Sequence, residues 1–515
     1  MRAWTAVVLA LLAASCDVSG ALQTLEDLEP IVEVESLRTS VAGVILDART
    51  GEPVSAPVTL SFAGEGAETT RDLLSRPIET MRTDDGAVSF GIANTVRPSA
   101  ARPFDLRVIA SAPGYRTNAV RLAIRKEGLQ EFRLFLDRID APLPPSAGTE
   151  ALLPLAGEVV SDTVRLSDSA TGGRLLEVVV PSGIRIARPQ GPRIAASVSL
   201  PSPELFAVFP GGIDAGLIPG SEPASFTAGA LVRVEVPGDT PFLGDSVRVR
   251  TALAPWLLSP ATNEAIRPGD RVDLHRWRAE SGRWKTEQRL EVSGTQAEPT
   301  AEFWIREPGV FAVGFWNLAC TEARVRPEGN RVGGSVKVFR GSSSQADGAR
   351  VWRFGPGESE VVLYDPPGFW RGEIEIRHGE TTVRLGYDSL CGADLDVRVD
   401  GGAPPSVAER NVRLAPCRAL RVTDLPTLAV FARPFSAVPS PAPESERLPP
   451  FLSSGAEFSR DPLGRIIGGK VRSAVPAGDM ATTLVLGAEA WTSSGATGPI
   501  DLAPLARGTG ICVDP

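Results

Sequence analysis

Apolar and polar residues alternate in short runs along most of this chain, and Gly or Pro breaks the runs at close intervals. Val120-Arg121-Leu122-Ala123-Ile124 and Phe132-Arg133-Leu134-Phe135-Leu136 place their larger apolar side chains on one face, as half-buried strands require. Asp85-Gly86 ahead of Ala87–Phe90 is a hairpin signal, because Asp-Gly accepts the positive φ of a tight turn. Comparable runs recur at Leu176–Val180, Val232–Val236, Val247–Arg250 and Phe311–Trp316, then at Val361–Tyr364, Glu373–Ile376, Leu395–Val399 and Leu428–Phe431. The pattern predicts an all-β chain built of several β-sandwich domains in tandem.

The joints suggest the boundaries. A first unit spans 39–138 and ends at the stiff linker Ala141–Ser146. A second, rich in tryptophan, spans 150–319; two of its strands are expected to meet at Ser281-Gly282. A third spans 320–416. Residues 417–515 read as a Pro/Gly-rich C-terminal segment, with Pro434–Pro450 as an extended linker. The length, 515 residues, agrees with three or four domains, and Gly 51 with Pro 45 favours many turns over long helices.

The N-terminus carries an address. Arg2, the apolar run Ala6–Leu12 and the small residues Ala13, Ala14 and Ser15 describe residues 1–15 as a secretory signal, too short to span a bilayer stably. Ala13-Ala14-Ser15-Cys16 resembles the bacterial lipobox. That resemblance implies cleavage before Cys16, lipid on it, and a membrane partner reached only through the lipid. Asp17 resembles an inner-membrane retention signal of some enteric bacteria. Residues 16–38, acidic at Asp17, Glu26, Asp27, Glu29, Glu33 and Glu35, then read as a tether. The expected home is the cell envelope, on the outer membrane or cell surface or on the periplasmic face.

Cysteine usage agrees with export. Cys320, Cys391, Cys417 and Cys512 form an even set, and four cysteines permit three connectivities. Cys320 and Cys391 lie near the ends of the third unit, which favours 320–391 with 417–512. These would close loops of about 70 and 95 residues and add roughly 4 kcal/mol each in the chain-entropy description. No Cys-x₂₋₄-Cys pair supports a zinc site.

Within the first unit, Gly43, Asp47, Thr50-Gly51, Pro53-Val54, Asp85-Gly86 and Pro113-Gly114-Tyr115 resemble the carboxypeptidase regulatory-like domain. The resemblance implies a transthyretin-like sandwich of about seven strands and an accessory rather than catalytic role. It covers about 100 of the 515 residues. This copy departs from the pattern at the charged stretch Gly64–Thr83 and at Arg97-Pro98 and Arg102-Pro103, which are expected to be loops open to a partner.

Catalytic signals are sparse. A net charge of −9 argues against nucleic acid as a partner. With two histidines, His275 and His378, the chain argues against histidine-rich metal sites and against a Ser-His-Asp machine, and it lacks the paired histidines with a glutamate that zinc carboxypeptidase chemistry needs. His378-Gly379-Glu380 reads as a turn. Gly464-Arg465-Ile466-Ile467-Gly468-Gly469-Lys470-Val471 approaches a phosphate loop, but Val471 replaces the hydroxyl residue and no βαβ context surrounds it. Asp394, Asp396 and Asp400 could offer carboxylates to calcium, but their even spacing reads as the wet face of a strand, and the EF-hand spacing with its central Gly is missing. No cofactor or metal is expected.

Tryptophan is the remaining signal: Trp256, Trp277, Trp284, Trp304 and Trp316 fall in one unit. Trp277, Trp284 and Trp304 are candidates for a binding surface for glycan or protein, against the alternative that they fill a core. The sequence thus predicts a non-catalytic, lipid-anchored envelope protein displaying β-sandwich modules. A glycan-binding accessory protein and an enzyme with an unrecognised acidic site are the alternatives.

Overall fold

The computed structural model describes residues 31–143, 147–168, 175–186, 193–201, 208–212, 216–217, 223–237, 241–260, 262, 264–318, 320, 322–330, 334–340, 350–354, 358–366, 372–378, 381–399, 407–434, 453–474, 480–493 and 498–514. Within them the chain is almost wholly β, arranged as β-sandwich units in tandem. Cys16 and most of the predicted tether lie outside the described residues, as do Gly379, Glu380, Asp400 and the linker 435–450.

The first unit comprises β1 (Thr39–Asp47), β2 (Val58–Ala63), β3 (Thr70–Arg71), β4 (Thr80–Thr83), β5 (Ala87–Ile92), β6 (Phe104–Ser111), β7 (Asn118–Ile124) and β8 (Gly128–Leu136). Sheet β3-β5-β1-β8 faces sheet β4-β2-β6-β7 across a core that includes Val41, Ile45, Leu60, Phe90, Leu106 and Leu136. The motif residues prove to be architectural. The Asp47 carboxylate accepts the Arg49 and Thr50 amides at 2.8 and 3.1 Å and the Tyr115 hydroxyl at 2.9 Å. Burial and that carboxylate push the Tyr115 phenol up to about 12. Gly43 lies under the Phe132 ring, where a Cβ would come within 2.1 Å of a ring carbon.

In the second unit a seven-stranded sheet runs Arg283–Glu291, Arg271–Arg278, Gly309–Leu318, Pro223–Glu235, Arg193–Ser199 and Ala147–Leu152, with Gly216–Leu217 attached to the side. It packs on a five-stranded sheet made of Val164–Ser167, Leu176–Val180, Val247–Ala252, Pro299–Ile305 and Ser293–Gly294. Val178, Val198, Val232, Val249, Phe303 and Val313 fill the space between them. The predicted hairpin forms: Trp277 pairs with Trp284, and Gly282 turns the corner at φ +58°. The third unit packs Glu322–Glu328, Val361–Tyr364 and Asp394–Arg398 on a four-stranded sheet, and Cys320–Cys391 joins its ends.

Three expectations need correction. Residues 417–515 are not a loose appendage. Together with Val407–Arg413, which the sequence pattern assigns to the end of the third unit, they form a fourth folded unit of two sheets and the short helix Ala503–Gly508. The alternating strands Ile466–Ala474 and Met480–Leu486 bury Val471, Leu484 and Leu486 in one core, and Cys417–Cys512 borders it. Second, residues 31–38 are not free tether. Val32 bridges Val422, and Val34 is buried in the fourth unit's core. Third, Gly64–Thr83 is not an open loop. Leu73 is buried in that same core, because a leucine 6% exposed on a sandwich flank needs an apolar partner.

The first unit is the hub. Ala42, Val44, Leu46 and Ala87 on the outer face of β1 and β5 pack against Ala429 and Val485 of the fourth unit. The Ser89 amide donates to Gly487 O, and the Gly487 amide donates to Ser89 Oγ, at 2.6 and 2.8 Å. The opposite face, through Ile109 and Ala119, meets Trp277 of the second unit. There Arg107, 1% exposed, donates to Gly282 O at 2.8 Å. Arg125 pairs with Asp365 of the third unit and lies 4.5 Å from the centre of the Tyr364 ring. Replacing Leu73 with Ala removes apolar surface from the fourth unit's core. It is expected to destabilise that unit by about 2–4 kcal/mol, read by hydrogen exchange as faster opening of peptides 410–430 and 483–492 with β6 unchanged.

Candidate functional site

The outer face of the seven-stranded sheet carries the aromatic residues that the sequence singled out. Phe209, Phe226, Trp277, Trp284 and Trp316 gather there with His275, in the joint with the first unit. Trp277 is 8% exposed and its ring centre lies 5.5 Å from that of Trp284. Trp284 stacks on Phe226 and packs at a tilt against Phe209, and its Nε1–H donates to Pro210 O at 2.7 Å. Trp277 and Trp284 therefore do not form a solvent-facing surface; two β faces that must meet without water use them as filling.

His275 is fully buried in this joint. Its Nδ1 accepts from Trp316 Nε1–H at 3.2 Å and from the Thr286 hydroxyl at 3.0 Å. Two donors on Nδ1 place the proton on Nε2, which has no hydrogen-bond partner among the described residues. Burial lowers the imidazole to about 4, with the nearby Asp273 charge opposing. This is a neutral structural histidine rather than a general base open to substrate. His378 is also buried, with Nε2 3.2 Å from Asn330 Oδ1.

Trp304 has a different environment. It is 49% exposed on the solvent face of the five-stranded sheet. Arg248 sits directly across the strand pair, bonded at 3.3 Å to Glu177 and at 3.4 Å to Glu302. The alternation Val247-Arg248-Val249-Arg250 sends the arginines out and the valines in. The result is a solvent-facing indole beside a group of paired charges, Arg248 with Glu177 and Glu302. Trp256, 37% exposed, lies outside this sheet.

The other motifs resolve into architecture. Ile466–Ala474 is a strand, and Lys470 pairs with Glu409, so the phosphate-loop likeness has no loop behind it. Asp394 and Asp396 are exposed and pair with Arg326 at 3.2 and 3.3 Å. Among the described residues no group of three or more His, Cys, Asp or Glu is placed to hold a metal, and no helix is long and apolar enough to cross a membrane.

No family model and no curated protein matches the chain. Among solved structures, the major pilin subunit BcpA of Bacillus cereus aligns at 7% identity and TM-score 0.15, over 70% of this chain and 99% of the pilin. The Corynebacterium diphtheriae major pilin SpaA aligns at 9% and 0.12, over 70% and 99%. The full-length Streptococcus pneumoniae pilus protein RrgB aligns at 8% and 0.14, over 83% and 75%.

His275 gives a pH prediction. Its folded value lies below the ordinary 6.5, so its contribution is present above pH 6.5 and is lost as the pH falls toward about 4. The loss approaches ~3 kcal/mol. His275→Gln keeps an acceptor for Trp316 and is expected to flatten the fall in denaturation midpoint between those pH values, measured against the unsubstituted chain.

Proposed function

We propose that this chain is a non-catalytic scaffold of the bacterial cell envelope, anchored by lipid on Cys16, that holds β-sandwich modules at the membrane surface for contact with a partner. The observation that carries the proposal is the double coverage of the first unit. Its two outer sheet faces are spent on the second and fourth units, so it serves as a structural hub. The resemblance to carboxypeptidase regulatory-like domains supports an accessory role for it. Both histidines are buried in packing roles, which leaves little for an acid–base mechanism. Chain order suits an anchor: Val32 bridges Val422 and Val34 lies in the fourth unit's core, so the segment that follows a lipidated Cys16 in sequence is itself tied to a folded unit.

Fractionation tests the anchor. The native chain is expected in the membrane fraction and Cys16→Ser in the soluble envelope fraction; equal membrane retention of both would sink the lipoprotein reading.

A second reading has one observation in its favour, the exposure of Trp304. An indole beside hydrogen-bonding charged groups suits a sugar ring, which offers an apolar face and hydroxyl edges. On that reading Trp304→Ala abolishes retention of the full chain on immobilised polysaccharide and Trp256→Ala does not; unaltered retention in Trp304→Ala removes it.

A further inference from the structure

A polar cleft opens where the N-terminal strap 31–38, the insertion 64–83 and the segment after β5 converge. Its volume is about 470 Å³, the size range of small-ligand sites. Arg38, Arg71 and Arg97, one from each segment, line it together with Asn94, Ser75 and a single carboxylate, Glu35.

The charges do not balance. Arg38 and Arg97 share one carboxylate oxygen of Glu127, at the long distances of 3.8 and 3.4 Å. Glu35 is engaged by the Asn94 amide, which donates to it at 2.7 Å. Arg71 has no carboxylate partner among the described residues. Its Nη1 donates to Glu68 O and Thr70 O, both at 2.9 Å, which fixes the guanidinium without neutralising it. Three guanidinium groups therefore stand against two carboxylates, and the best-fixed of the three has none.

The walls are pre-set. Asn94 Oδ1 accepts the Arg38 amide at 2.9 Å and Nδ2 donates to Ser36 O at 2.8 Å, which pins the strap over the cleft. Ser75 holds a left-handed φ of +58° and donates its hydroxyl to Glu35 O at 3.1 Å. Asp72 Oδ1 accepts the Leu74 and Arg76 amides at 2.8 and 2.9 Å, closing the turn that places Ser75. A non-glycine residue held at positive φ is strained, and such positions cluster where a binding geometry is imposed.

We propose that this cleft binds an oxyanion, a carboxylate or phosphate group on a small ligand, with Arg71 as its principal partner and Arg38 and Arg97 completing the grip. Guanidinium groups recognise both anions through paired N–H donors. The two sources separate by calorimetry at low salt on the full chain carrying Cys16→Ser, titrated with inorganic phosphate, with D-glucuronate and with neutral glucose. Saturable binding of phosphate alone assigns a phosphorylated ligand, of glucuronate alone an acidic sugar, and of both the shared anion chemistry; glucose is not bound. Arg71→Gln and the more exposed Arg97→Gln each weaken binding by about tenfold or more, whereas Arg82→Gln, outside the cleft, leaves it unchanged. The proposal fails if neither anion binds saturably below about 10 mM, or if Arg82→Gln weakens binding as much as the cleft variants.

Discussion

The architecture depends on one constraint: the first sandwich is covered on both outer faces. An ordinary antiparallel sandwich keeps its outer faces wet and its strands alternate accordingly. Here β1 and β5 are buried on both sides. Outward-facing Ala42, Ala87, Ser89 and Gly91 are small, which lets the fourth unit and the strap approach closely. On the other face the approach is made by large aromatic residues of the second unit, with Arg107 hydrogen-bonded across the joint.

The electrostatics of the joints follow from the same burial. His275 stays neutral because charging it would leave a cation among indoles and phenylalanines. Burial and the Arg283 charge lower Arg107 to about 10 despite Asp105 nearby. Arg125 and Asp365 are both largely shielded where the third unit meets the first, so each neutralises the other there. Ion pairs on the open faces, such as Arg326 with Asp394 and Asp396, are solvated and contribute little to holding the units together.

Much of the fold could be read along the chain. The alternation at Val247–Arg250, the turn at Ser281-Gly282 and the grouping of Cys320 with Cys391 all express distances of a few residues or the ends of one unit. The errors fall on segments judged by composition. The acidic run before residue 39 suggested a solvated tether, yet Val32 and Val34 within it carry the contacts that fix it to the fourth unit. The C-terminus reads as a Pro/Gly-rich segment, because its strands are separated by a long linker and their pairing is not local. The charges of Gly64–Thr83 suggest an open loop, whereas Leu73 decides its position.

The sequence by itself determined the strands, their turns and the inward face of each sandwich. These follow from the two-residue period of a strand and from where glycine and proline can stand. Tertiary structure alone decided which tryptophans meet solvent. Trp277 and Trp304 both sit on strands of the second unit, and they differ only in what covers the sheet face beyond them. It also decided that Arg38, Arg71 and Arg97 share one cleft, since a strap, an insertion and a loop must converge to bring them together. Both outcomes depend on contacts between segments far apart in the chain, and no local pattern encodes them.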